Sequence, residues 1–167
     1  MPILTEAQLQ EFGVALLAAG GANESEALIV GRSLVQANLR GHDSHGVMRI
    51  PFYVKQVQDG KLNAGSDLTV VQESSGTIVG DGNWGFGQVL SRQLMEKLMD
   101  KASTAGVASG SLRQSAHIGR LGEFAEMAAA RNMAAIICAN THGAAQRVAP
   151  VGGKRPRLGT NPLCIGM

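Results

Sequence analysis

The chain has 167 residues, a mass of 17.4 kDa and a net charge of +2, enough for one domain with a core of its own. Its Lys and Arg residues are scattered and only six residues are Phe, Trp or Tyr, which sets aside a nucleic-acid binder; no apolar run approaches the ~18 residues of a membrane span. Charged residues make up 17% where about 25% is usual, and 22 of the 167 residues are glycine, which points to many tight turns and close backbone approaches.

Met1 to Thr5 show no basic or apolar leader character, so a soluble cytoplasmic protein is expected. Thr5 with Gln8 forms a capping box, and Leu9, Phe12, Leu16 and Leu17 recur at helical spacing up to Gly20 and Gly21. A second helix is predicted from Asn23 or Ser25 to about Arg40, with Leu28, Val35 and Leu39 on its apolar face. A third runs from Val47 to Val57 with Pro51 near its first turn. After Gly60, Leu68 to Gln72 and Thr77 to Gly80 read as a hairpin around Ser74, Ser75 and Gly76. A long helix follows from about Phe86 to Ala105, with Leu90, Leu94, Leu98 and Ala102 on one face. Val107 to Leu112 reads as a strand, Gly119 to Asn132 as a helix, and Met133 to Ala139 as a strand buried on both faces. That last succession predicts a βαβ unit and hence a parallel pair of strands. Cys138 and Cys164 stand in apolar stretches without a paired spacing and are expected to be buried free thiols.

Four segments have a composition suited to chemistry. Gly80 to Gly85 fits a GxGxxG pattern between a strand and a helix. The acid that a dinucleotide site needs about 20 residues on is missing from the strand Val107 to Leu112, so these are read as turn glycines. Gly41 to Arg49 packs His42, Asp43, Ser44, His45 and Arg49 into a helix-to-loop junction. There an imidazole can exchange protons near neutral pH, and a guanidinium can grip a carboxylate with two parallel bonds. A competing metal reading joins His42, Asp43 and His45 with His117 or His142, but residues three apart converge only on a helix and this stretch is poor helix sequence, so no metal is expected. Ser115 to Gly122 is a polar strand-to-helix turn carrying His117 and Arg120, a usual place for a ligand. Val148 to Gly153 and Gly159 to Pro162 read physically as turns.

Six ordered motifs carry a resemblance: residues 38–47 (AsnLeuArgGlyHisAspSerHisGlyVal), 50–53 (IleProPheTyr), 81–88 (AspGlyAsnTrpGlyPheGlyGln), 117–122 (HisIleGlyArgLeuGly), 148–153 (ValAlaProValGlyGly) and 158–162 (LeuGlyThrAsnPro). Through them the chain resembles the malate/L-lactate dehydrogenase type 2 family of NAD(P)-dependent oxidoreductases, in particular its hydroxycarboxylate dehydrogenase B branch. The resemblance implies an α/β fold of non-Rossmann type, with a helical N-terminal part (1–60) carrying the catalytic histidine and part of a mixed-sheet, nicotinamide-binding domain (61–167). It implies a homodimer, NAD or NADP as cofactor, and a 2-hydroxy or 2-oxo acid as substrate. The position of His45 matches the catalytic acid of the family, flanked by Ser44 and Arg49, while one branch assigns the base at the position of His117. Cofactor contacts would fall on His45, Gly119, Arg120, Leu121, Thr141, Gly159, Thr160, Asn161 and Pro162.

Family members run to about twice this length. The resemblance therefore implies that the carboxylate partnering the catalytic histidine and much of the cofactor pocket lie outside these residues, and that the strands ending at Ala139 and near Ile165 lack neighbours. A non-catalytic dimerising or regulatory remnant is the alternative reading.

Overall fold

The computed structural model describes residues 3–141 and 146–167. Contacts divide the chain into two compact units, the first ending at Arg120 and the second starting at Leu121. The boundary expected near residue 60 falls inside the first unit, because Phe86 and Val89 join the same core as Leu17, Val30, Leu34 and Tyr53.

The first unit opens with α1 (Glu6–Ala19) and α2 (Glu24–Leu39). Both start on a capping box: the Gln8 N–H donates to Thr5 Oγ1, and the Glu26 N–H donates to Asn23 Oδ1. Glu26 is buried at 3% exposure, yet both its oxygens are satisfied, one by the Asn23 N–H and the other by the Gly65 N–H at 2.7 Å. The buried stripes keep Leu17 and Val35 of the expected residues and otherwise differ. Phe12, Leu16, Leu28 and Leu39 are exposed, whereas Gly13 and Leu17 of α1 and Ala27, Val30, Gly31 and Leu34 of α2 face inward. Small residues let the helix backbones approach closely, so the largest apolar side chains do not mark the contact. A Cβ on Gly31 would stand 2.8 Å from Val14 Cγ2, and one on Gly13 would stand 3.3 Å from Ile50 Cδ1.

Two single 3₁₀ turns, Asp43–His45 and Val47–Arg49, lead into α3 (Ile50–Gln58), with Pro51 in its first turn as the sequence predicts. The strands β1 (Thr69–Glu73) and β2 (Thr77–Asp81) form the expected antiparallel hairpin, with a register shift between Val70 and Gln72. From β2 the chain enters α4 (Gly87–Ala105) and returns as β3 (Ser109–Arg113), which pairs in parallel with β2. The sheet order is β1-β2-β3, so it is mixed.

The second unit contains α5 (Gly122–Ala129), β4 (Ala135–Cys138) and β5 (Leu163–Gly166). The parallel pair thus spans α4 and not α5: β4 pairs antiparallel with β5 in a two-stranded sheet, which also gives each of these strands a neighbour. Nor is β4 buried on both faces. Ile136 is 72% exposed and Cys138 is exposed, while Ala135 and Ile137 alternate with them on the more buried face. A missing Cβ at Gly166 lets β5 lie against Ala125 of α5. The cysteines are free, but Cys138 is exposed and Cys164 half-buried. Cys164 stands opposite Ile137 in the register, so the two thiols point to opposite faces of the ribbon.

The α1–α2 contact gives a direct test. Gly31→Leu should drive Val14 off α2 and lower stability by about 1–3 kcal/mol, the usual cost of overpacking. Adding Val14→Ala should recover part of the loss, read from urea-unfolding midpoints of the single and double variants.

Candidate active site

The chain segment after α2 is held in place by one side chain. Asn38 Oδ1 accepts the Val47 N–H at 2.9 Å, and its Nδ2 donates to the Asp43 carboxylate. Gly46 passes so close to Asn38 that a Cβ there would collide with its amide. The Asp43 carboxylate is thereby used inside the turn. With the backbone fixed at both ends, Ser44, His45 and Arg49 have set positions. Ser44 Oγ lies 2.9 Å from His45 Nδ1, and Arg49 Nε donates to the Ser44 carbonyl at 2.6 Å.

Folding brings His117 to the same place, 72 positions along the chain from His45. The two imidazole rings stand 5.2 Å apart between centroids, tilted by 32°. His117 Nδ1 lies 2.7 Å from the Tyr53 hydroxyl and 3.3 Å from the Gly119 N–H; Gln88 Nε2 donates to the same hydroxyl at 2.8 Å. Tyr53 and Gln88 are fully buried, at 1% and 0% exposure, with Phe86 edge-on to the Tyr53 ring. Gly119 takes a positive φ of 78°, a conformation a side chain would strain, and this aims its N–H at the imidazole.

Charge and burial act together on these groups. Burial first, then the Arg49 guanidinium and His42, hold His45 below the usual imidazole range. Burial, Arg49 and His45 push His117 down to about 4. Burial pushes Tyr53 up to about 12 against the opposing effects of the Gln88 hydrogen bond and Arg49. Near neutral pH the site therefore holds two uncharged imidazoles and a neutral phenol beside one fixed cation, which suits it to bind a carboxylate next to a group that exchanges a proton.

Of the residues singled out by sequence, Ser44, His45, Arg49, His117 and Gly119 lie together in the first unit, and Arg120 ends it. Leu121, Thr141 and Gly159 to Pro162 belong to the second. There Thr141 packs so closely on Gly159 that no Cβ fits, and Thr160, Asn161 and Pro162 are exposed. His142 lies outside the described residues. Among the described residues no three His, Cys, Asp or Glu side chains gather as metal ligands, and no helix is long and apolar enough to cross a membrane. Asn38, Tyr53 and Gln88 lie within the motifs at 38–47, 50–53 and 81–88, and their part in the site emerges only from the fold. The available signal was a Tyr and a Gln embedded in apolar helix faces, where burial obliges each to find a hydrogen-bond partner.

The glycine-rich turn at 80–85 is built from within. Its amides are already used: Gly82 donates to the Arg113 carbonyl, Asn83 to Asp81 Oδ1, Trp84 to the Gln114 carbonyl and Gly85 to the Gly82 carbonyl. A Cβ would strike Leu68 at Gly80, Leu90 at Gly82 and Ser66 at Gly85. These glycines serve the corner between β2 and α4 and leave no cradle of free N–H groups for a pyrophosphate.

Nearly the whole chain is similar to known proteins. Hydroxycarboxylate dehydrogenase B of Escherichia coli O157:H7 is 38% identical over 157 residues, which is 94% of this chain and 43% of that protein. L-sulfolactate dehydrogenase of Methanothermobacter thermautotrophicus is 37% identical over 152 residues, 91% of this chain and 44% of that protein. The structure of a putative malate/lactate dehydrogenase from E. coli superposes with a TM-score of 0.93 at 36% identity, covering 99% of this chain and 46% of that one. The chain thus spans under half the length of the relatives it matches. A malate/L-lactate dehydrogenase family model matches residues 4–167, nearly the whole sequence, and the chain belongs to that family.

Proposed function

We propose that the chain supplies the histidine-bearing part of an NAD- or NADP-dependent oxidoreductase acting at C2 of a 2-hydroxy or 2-oxo carboxylic acid such as malate or lactate. The observation that carries this reading is the convergence of His45, Arg49 and His117 beside a buried phenol. The catalytic motif lies within 1–60, and the proposed cofactor contacts other than His45 lie within 61–167. The nicotinamide, when bound, gives or takes the hydride. Beside His45, the residues that would hold it are Gly119, Arg120, Leu121, Thr141, Gly159, Thr160, Asn161 and Pro162; the exposed Thr160 hydroxyl and Asn161 amide, next to the point where Thr141 packs on Gly159, would offer hydrogen bonds to its polar groups.

The protein groups then have distinct tasks. Arg49 grips the substrate carboxylate and so orients C2. His45 gives a proton to the C2 oxygen during reduction and removes it during oxidation. Ser44 Oγ follows either state, since a hydroxyl can donate to or accept from Nδ1. The working unit in this reading is a cytoplasmic homodimer, for which the exposed Phe12, Leu16, Met48 and Phe52 offer apolar surface.

Titrating the protein with NADH and NADPH should give saturable changes in nicotinamide fluorescence, and a 2-oxo acid should then oxidise the reduced cofactor. Absence of both would favour the alternative, a non-catalytic dimerising or regulatory remnant. His45→Ala should abolish turnover while cofactor binding persists; near-normal turnover would remove His45 from the chemistry. The proton that His45 gives or takes fixes the sign of the pH dependence, and its lowered pKa sets the limbs below the usual imidazole range. Reduction needs the protonated ring and should slow as pH rises through that value, whereas oxidation should speed up. Arg49→Gln should raise KM for the acid by about 10–100-fold, the worth of a charged hydrogen bond, and move both limbs to higher pH in steady-state profiles.

A further inference from the structure

The two histidines meet different partners at Nδ1, and the difference decides what each can do. We propose that Gln88 and Tyr53 are positioning residues that fix His117 in the tautomer with its proton on Nε2, making it a neutral hydrogen-bond donor to the substrate's C2 oxygen and leaving proton exchange to His45. The proposal rests on the preceding reading that these imidazoles face the substrate.

The direction of the hydrogen bonds follows from what each atom can do. The Gly119 N–H can only donate, so His117 Nδ1 must present its lone pair. Independently, Gln88 Nε2 can only donate, so the Tyr53 oxygen accepts from it and the single phenol hydrogen goes on to His117 Nδ1. Both routes leave the ring proton on Nε2. The opposite polarity would have Gln88 turned over, its Oε1 taking the phenol hydrogen and Nδ1–H donating to the phenol oxygen. That would set the Nδ1–H against the Gly119 N–H, donor facing donor. Gln88 Oε1 is buried without a hydrogen-bond partner among the described residues, and turning the amide over would only place an NH₂ group there.

This wiring blocks His117 as an acid or a base. To take a proton at Nε2 the ring must first carry one on Nδ1, where the Gly119 N–H opposes it. To give up the Nε2 proton, the ring must draw the phenol hydrogen onto Nδ1, leaving a buried tyrosinate. The depressed His117 and raised Tyr53 values agree with both statements. His45 has no such obstacle, because Ser44 Oγ accepts an Nδ1–H as readily as it donates to a bare Nδ1. Arg49 lowers both rings, so its presence does not by itself distinguish them.

The tautomer can be read without substrate from long-range ¹H–¹⁵N ring correlations of the uniformly ¹⁵N-labelled chain. His117 should show the Nε2–H pattern at neutral pH, and Gln88→Glu, whose carboxylate accepts the phenol hydrogen, should shift it toward Nδ1–H. An Nδ1–H or mixed pattern in the unsubstituted protein overturns the proposal whether or not any variant folds. In turnover, His117→Leu should lower kcat by about 10²–10³-fold, as loss of one donor to a developing oxyanion does. His117→Gln, which keeps an N–H donor but cannot act as a base, should recover part of that loss with little change in KM. Equal loss in both variants overturns the donor role. If the ring is Nε2–H but the protein binds neither cofactor nor acid, the functional reading fails and the tautomer assignment stands.

Discussion

The burial of one phenol ties the core of the first unit to its chemistry. The Tyr53 ring belongs to the helical core, edge-on to Phe86 and 1% exposed, while its hydroxyl reaches the imidazole of His117. A buried hydroxyl without a partner costs of order 1–3 kcal/mol, so the core requires a polar group at that point. Gln88, on the first turn of α4, and His117, on the loop after β3, supply it. Any rearrangement that moves α4 against α3 must break this chain of hydrogen bonds. The site is therefore as rigid as the packing beneath it, which the role proposed for His117, a hydrogen-bond donor of fixed direction, requires.

Close backbone approach is the second constraint, and it explains much of the glycine content. At Gly31 the α1–α2 contact would lose its fit; at Gly46 the His45 turn could not close over Asn38; at Gly87 a Cβ would strike the Ala116 and His117 carbonyls. The last of these sets the distance between the start of α4 and the His117 loop, so it also sets the length of the Gln88–Tyr53–His117 chain. Glycine here is used for proximity more than for turning. Gly41, Gly60 and Gly65, with positive φ and open space around them, are the ordinary turn glycines.

Local signals in the sequence were reliable where the physics is local. Both capping boxes, the hairpin, Pro51 in a first turn and the α4 stripe of Leu90 and Leu94 depend on residues within a few positions of one another. The pairing of β4 was not legible, since an apolar run beside a helix does not say which strand it will meet. On α1 and α2 the buried face was legible in part: Leu17 and Val35 are buried as expected, but the inward Gly13, Ala27 and Gly31 carry little hydrophobic signal. At the site, Ser44, His45 and Arg49 stood out as a dense polar cluster and His117 as a polar turn. Asn38, Tyr53 and Gln88 did not, because their roles exist only once α2, α3 and α4 are assembled.

The two imidazoles show why residue type alone cannot assign a mechanism. Both are histidines, both are depressed by burial and by Arg49, and they stand in ring contact. A serine hydroxyl beside one and a backbone N–H beside the other give them opposite capacities. A hydroxyl is indifferent to the direction of the proton, whereas an amide N–H is not. In the proposed reaction, two like rings then share one substrate oxygen without competing for the same proton, one donating a hydrogen bond throughout and the other changing its charge.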